Sequence, residues 1–135
     1  MTKVPENLIL NALKTPLIMS AVVCADQKSI LESVKIATED KLINPILIGD
    51  KEKILNISNE INFNTNDLAI IDEKSESECA SIGCDLAKNN KIKIIIKGNL
   101  HTDILMRTYL KKEFGLIEGK RLSHIWHMSS EKLQK

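Results

Sequence analysis

The chain has 135 residues, 43% of them hydrophobic and 27% charged, with 19 lysines and arginines against 18 aspartates and glutamates. That is one ordinary domain, long enough to bury a core without disulfides or metal. A net charge of +1 and 3% aromatics supply neither the basic block nor the aromatic ladder of a nucleic-acid binder. No apolar run reaches the roughly 20 residues of a membrane span, and the start, MTKVPENLIL, lacks the apolar core of a signal peptide. Three cysteines, Cys24, Cys79 and Cys84, without CxxC spacing point to a reducing cytoplasm.

Taken in chain order, apolar runs alternate with amphipathic stretches. Leu17 to Val23 (LIMSAVV) is a continuous apolar run and predicts a buried strand. Asp26 is placed to cap a helix in which Ile30, Val34 and Ala37 share a face. PILIG, Pro45 to Gly49, predicts a second strand and KEKILN the start of a short helix; LAIID, Leu68 to Asp72, predicts a third strand. Ser75 to Glu78 (SESE) has the form of a capping box, followed by an apolar stripe of Cys79, Ile82, Gly83 and Leu86. IKIIIKG, Ile92 to Gly98, predicts a fourth strand, Thr102 to Phe114 a helix, and RLSHIWHM, Arg121 to Met128, a fifth strand. The expected architecture is therefore α/β, a three-layer domain over residues 1–128 with a parallel sheet covered on both faces, followed by a polar tail at 129–135.

Ligands of open parallel sheets bind beyond the carboxyl ends of the strands. Of the four loops expected there, KGNLHT (Lys97 to Thr102) is the one rich in anion-binding groups. Gly98 lets a backbone approach closely. The helix that follows offers free N–H groups and the positive end of its dipole. Lys97, His101 and Thr102 add charge and donors, and Arg107 offers a two-point contact to phosphate or carboxylate. The combination predicts a phosphate or phosphoester site at Lys97, Gly98, His101, Thr102 and Arg107.

The same residues have structural readings. Thr102 also reads as a helix N-cap. Asp103, Arg107 and Lys111 recur every four residues, the pattern of a solvated ion-pair face, with Met106, Tyr109, Leu110 and Phe114 as the opposite, core-facing stripe. The three cysteines read as small buried apolar groups. His124 and His127, three apart on a strand, diverge, as do Asp72 and Glu73, so neither a metal site nor a carboxylate dyad is expected. No nucleophile elbow, Walker loop or dinucleotide fingerprint is present.

KGNLHTDILMRTYLKKEFGLIEGKRLSH resembles the phosphate acetyltransferase and phosphate butyryltransferase family. The resemblance rests on Lys97-Gly98, His101-Thr102, Arg107, Glu113 to Leu116 and Leu122 to His124, and it extends upstream through ADQKSILESVKIATEDKLINPILIGDKEKI. Glu113-Phe114-Gly115-Leu116 fits the butyryltransferase branch better. The resemblance implies a reaction, acyl-CoA plus phosphate to acyl phosphate plus CoA, with coenzyme A and phosphate as substrates and no further cofactor. It implies the first of two α/β domains of an isocitrate/isopropylmalate dehydrogenase-like fold, in a dimer or with a separately encoded second half. It places Arg107 near the substrate cleft with His101 and Thr102 beside it.

Two departures temper it. Family members are longer chains, and their catalytic serine, arginine and aspartate have no counterpart here, so no catalytic residue is expected. After Ser123-His124 the sequence runs Ile125-Trp126-His127-Met128-Ser129-Ser130 where the family continues differently. The expectation is a truncated acyltransferase, inactive alone. Two alternatives stay open: a phosphate- or CoA-binding module without turnover, and an interaction domain with a lost site.

Overall fold

A computed structural model describes residues 4–117. Four strands alternate with helices: α1 (Glu6–Leu13), β1 (Ile18–Val23), α2 (Lys28–Glu39), β2 (Ile43–Gly49), α3 (Lys51–Glu60), β3 (Ile70–Asp72), α4 (Glu76–Lys88), β4 (Ile94–Lys97), α5 (Thr102–Tyr109) and a 3₁₀ turn at Lys112–Phe114. The sheet has the order β3-β2-β1-β4, and every pairing is parallel. The expected fifth strand, with His124, Trp126 and His127, and the tail 129–135 lie outside the described residues.

The period of two along the strands splits the core. Ala21, Val23 and Ile48 point to one face, where they pack with Cys79 and Ala80 of α4 and Leu105 of α5. Val22 and Leu47 point to the other, against Leu31 and Val34 of α2 and Ile54 of α3. The sheet is thus the middle of three layers. The central strands β1 and β2 are apolar on both faces for that reason, and Ala21, Val22, Val23, Leu47 and Ile48 are fully buried.

Helix ends follow local chemistry. Asp50 caps α3 by accepting from the Lys53 N–H at 3.4 Å. Ser75 caps α4 by accepting from the Glu78 N–H at 3.4 Å, half of the expected capping box; the Ser75 N–H itself goes to Glu73. Asn62 and Asn90, just past α3 and α4, take left-handed φ of 57°. That turn lets the amides of Phe63 and Lys91 reach back to the carbonyls of Ser58 and Leu86.

Several boundaries differ from expectation. Gln27, not Asp26, stands at the N-cap of α2, without a side-chain cap; the Asp26 carboxylate lies against Gly49 instead. His101, not Thr102, is the N-cap of α5. The predicted helix over Thr102 to Phe114 stops at Tyr109 and resumes as the 3₁₀ turn. Its buried face is Leu105 and Thr108, with Phe114 buried beyond it, while Met106 and Tyr109 are half-buried and Leu110 is exposed. A stripe read at helical spacing past the helix end counts residues that no longer share a face. The helix α1 was not expected from the sequence pattern.

Candidate functional site

The chain order through the sheet sets the site. From β1 the chain steps outward through α2 to β2 and through α3 to β3, then crosses the opposite face through α4 to reach β4 on the far side of β1. The direction of winding therefore reverses between β1 and β4. At such a switch point the loops leaving two neighbouring strands part to opposite faces and open a crevice beyond their carboxyl ends. The loops there are Cys24 to Gln27 and Gly98 to His101. The sequence singled out the second; only topology brings it beside the first.

The two loops are sewn together by backbone. Cys24 takes a left-handed φ of 59° at the end of β1. The Gly98 N–H donates to the Val23 carbonyl and the Asn99 N–H to the Cys24 carbonyl, each at 2.8 Å. A Cβ at Gly98 would stand 2.2 Å from the Cys24 carbonyl oxygen and 2.5 Å from that of Val23. Gly98 does admit a close backbone, as expected, but the backbone is that of β1. Its own amide is committed and is not free to a ligand.

What faces solvent at this corner is the head of α5. Of the four helices that begin at the carboxyl edge, α3 and α4 have first-turn amides occupied by the chain's own side chains: Lys51 and Lys53 donate to Asp72 and Asp50 at α3, and Glu78 donates to Ser75 at α4. Among the described residues α2 and α5, which flank the switch point, have no side-chain cap. At α5 the Ile104 N–H donates to the His101 carbonyl at 3.1 Å, which leaves the Thr102 and Asp103 N–H groups, with the earliest amides of α2 and both positive dipole ends, for an outside anion.

The five candidate residues are distributed around that head. Lys97 is exposed at the end of β4, its ammonium 3.4 Å from the Gly98 carbonyl. His101 is exposed, and its Nδ1 lies 3.1 Å from a carboxylate oxygen of Glu76, the first residue of α4. That carboxylate pushes the imidazole pKa above its ordinary value, with Asp103 adding to the effect and Lys97 opposing it. Thr102 is exposed as the first residue of α5. Arg107 donates to Asp103 one turn back at 2.9 Å, and both are exposed; the ion-pair face read from the sequence is present. Arg107 follows His101 by six positions, about 120° around the helix and about 9 Å along it. They serve one small ligand only if it lies along the helix flank.

Glu76 is the polar neighbour that sequence reasoning missed. It stood in the stretch read as a capping box, and nothing local shows that the start of α4 meets the start of α5. Among the described residues no three histidines, cysteines or carboxylates come together as a metal site. No helix among them is long and apolar enough to cross a membrane. All three thiols are buried; burial pushes Cys24 up to about 12, with Cys79 beside it adding to the rise, and Cys84 up to about 11. Neither is a nucleophile at neutral pH.

The chain is 31% identical over 115 residues to a phosphate butyryltransferase of Clostridium acetobutylicum, a match covering 85% of this chain and 38% of that protein. It is 36% identical over 124 residues to a phosphate acetyltransferase of Rickettsia prowazekii, covering 91% of this chain and 35% of the relative. Its fold aligns with a phosphotransacetylase from Streptococcus pyogenes at a TM-score of 0.66 and 15% identity, over 80% of this chain and 42% of the other. A branched-chain phosphotransacylase from Enterococcus faecalis aligns at 0.60 and 21% identity, over 73% and 33%. No protein-family model matches. The chain spans about a third to two-fifths of the length of these relatives.

Proposed function

By sequence the chain is a relative of the phosphate acetyltransferase and phosphate butyryltransferase family over that third to two-fifths, and from this premise we propose that it supplies the phosphate cradle of a phosphate acyltransferase. The reaction is acyl-CoA plus orthophosphate to acyl phosphate plus CoA, the acyl group acetyl or butyryl. The observation that carries the reading is the pair of helix heads without side-chain caps, α2 and α5, at the switch point between β1 and β4, with Lys97, His101, Thr102 and Arg107 around the second.

In that reading the Thr102 and Asp103 amides at the head of α5 and the Thr102 hydroxyl bind phosphate oxygens, and Lys97 neutralises their charge. His101, held more protonated by Glu76, donates from Nε2. Gly98 keeps the loop tight against β1 so that these groups stay fixed. Arg107 turns from Asp103 toward the bound anion, exchanging one carboxylate partner for a doubly charged one. Attack of a phosphate oxygen on the thioester carbonyl creates an oxyanion and then releases the CoA thiolate. Fixed donors matter most at that oxyanion, and no side chain of this chain is assigned there. The groups that stabilise it and assist the thiolate lie outside the described residues, in a second copy or a second half that completes a two-domain cleft of the isocitrate/isopropylmalate dehydrogenase type. The chain alone binds without turnover, in the cytoplasm.

A second reading, a binding or interaction module with a weakened site, draws support from one observation: His101 and Arg107 already sit against carboxylates. Titration calorimetry with inorganic phosphate, acetyl phosphate and coenzyme A separates the two. The cradle predicts binding of phosphate or acyl phosphate, weakened at least several-fold in Arg107→Ala with an unchanged circular-dichroism spectrum, and no thiol release from acyl-CoA by the chain alone. Absence of binding, or an Arg107→Ala variant that binds equally well, refutes the cradle. Steady thiol release by the pure chain refutes its dependence on a partner.

A further inference from the structure

His101 stands at the N-cap of α5, yet its ring does not cap that helix; Nδ1 lies 3.1 Å from a carboxylate oxygen of Glu76 instead. Glu76 is the first residue of α4, and that end of α4 is fixed from two sides. The Glu78 N–H donates to the Ser75 hydroxyl, and the Lys74 and Ser75 amides donate to the Glu73 carboxylate. Just beyond, Cys79 and Ala80 are buried in the cluster that also holds Leu105 of α5. The Glu76 side chain is 35% exposed and the His101 ring 77%. The carboxylate is the better anchored of the two and decides where the ring lies.

An ionised carboxylate takes the Nδ1–H bond, so the neutral ring is the tautomer whose Nε2 holds only a lone pair. Nε2 has no partner among the described residues. It carries a proton to donate only when the ring is charged. Building on the phosphate reading of the α5 head, we infer that Glu76 is a positioning residue of that site: by holding Nδ1 it leaves Nε2 to the ligand and makes anion binding depend on the charge of His101. Three charged groups bear on the ring: Glu76 of α4 and Asp103 of α5 favour the imidazolium, and Lys97 at the end of β4 opposes it. Glu76 acts most strongly, and so extends binding toward higher pH.

Titration calorimetry of the full chain with sulfate, a tetrahedral dianion across about pH 5.5 to 8.5, tests this, with His101 followed by NMR. Wild-type affinity falls roughly three- to ten-fold as His101 loses its proton. Glu76→Gln keeps an acceptor for Nδ1–H but not the charge, so the same fall moves to lower pH. Glu76→Ala frees the ring: binding is several-fold weaker even at about pH 5.5, and its pH dependence flattens because neutral Nε2 is now able to carry the proton. Glu78→Gln removes a charge from the same turn without touching His101 and leaves the profile unchanged. A wild-type affinity that does not follow the His101 titration overturns the inference, as does a Glu76→Gln profile that coincides with wild type. Tighter binding by either Glu76 variant does so too, since the carboxylate would then act only by repelling the anion. In each of these cases the cradle still stands on Arg107→Ala, whereas a wild type that binds neither phosphate nor sulfate removes both.

Discussion

Replacing Gly98 with alanine adds one methyl group where the chain leaves no space. The new Cβ would stand 2.2 Å from the Cys24 carbonyl oxygen, 0.8 Å inside the 3.0 Å that real Cβ contacts respect, and 2.5 Å from that of Val23. Both neighbours are backbone, and both belong to the hydrogen bonds that tie the loop after β4 to the end of β1. Relief requires β4 and β1 to move apart. Overpacking of this kind costs about 1–3 kcal/mol, and weakening two backbone hydrogen bonds adds about 1 kcal/mol each. The sum, about 3–5 kcal/mol, is a large part of the 5–15 kcal/mol typical of a domain, and lowers Tm by roughly 10 °C or more at this chain length. Urea unfolding followed by far-ultraviolet circular dichroism measures it. Gly115→Ala is the control: nothing lies within 4 Å of its Cβ, and its φ of 62° costs only about 1–2 kcal/mol. A Gly98→Ala variant within about 1 kcal/mol of wild type refutes the account of this glycine as the seam between two strands.

Other outcomes follow from the same geometry. The thiols of the native chain resist an aromatic disulfide reagent at about pH 8 and all react after denaturation. Because burial holds the Cys24 proton up to about pH 12, against an ordinary thiol value of 9.0, the thiol contributes stability that is complete below about 9 and is lost as pH rises toward 12; urea midpoints at neutral and alkaline pH register the decline. In a histidine NMR titration, His101 titrates above its ordinary value, and Glu76→Gln brings it back down. The sign is that of a raised histidine: the pair with Glu76 contributes below the unfolded pKa and is lost as pH rises through the folded one, a small effect for so exposed a pair. Ser75→Ala removes the α4 cap and costs about 1 kcal/mol in urea unfolding.

Features settled within a few residues were legible in the sequence. The apolar runs of β1 and β2 were found because a strand covered on both faces must be apolar throughout. The cap at Ser75 and the ion pair of Asp103 with Arg107 follow from spacings of three and four along one helix, whereas the cap at Asp50 was not read. The edge strands were read too long, Leu68 to Asp72 against Ile70–Asp72 and Ile92 to Gly98 against Ile94–Lys97, since an apolar run does not say where its neighbour stops pairing. The helix α1 was missed because its face meets no core that would impose a recognisable stripe.

For the site, the sequence by itself determined the inventory: a lysine, a glycine, a histidine and a hydroxyl at a strand-to-helix junction, with an arginine a turn further on. That much is local, since residue type and spacing along one helix need no knowledge of what lies opposite. Tertiary structure decided the rest. It put the junction at the switch point, filled the space beside Gly98 with the Cys24 carbonyl, set Glu76 against His101, and left α2 and α5 without side-chain caps while α3 and α4 were capped. Those relations join residues 20 to 80 positions apart, and only the packing of strands and helices on the two faces of the sheet decides which of them meet.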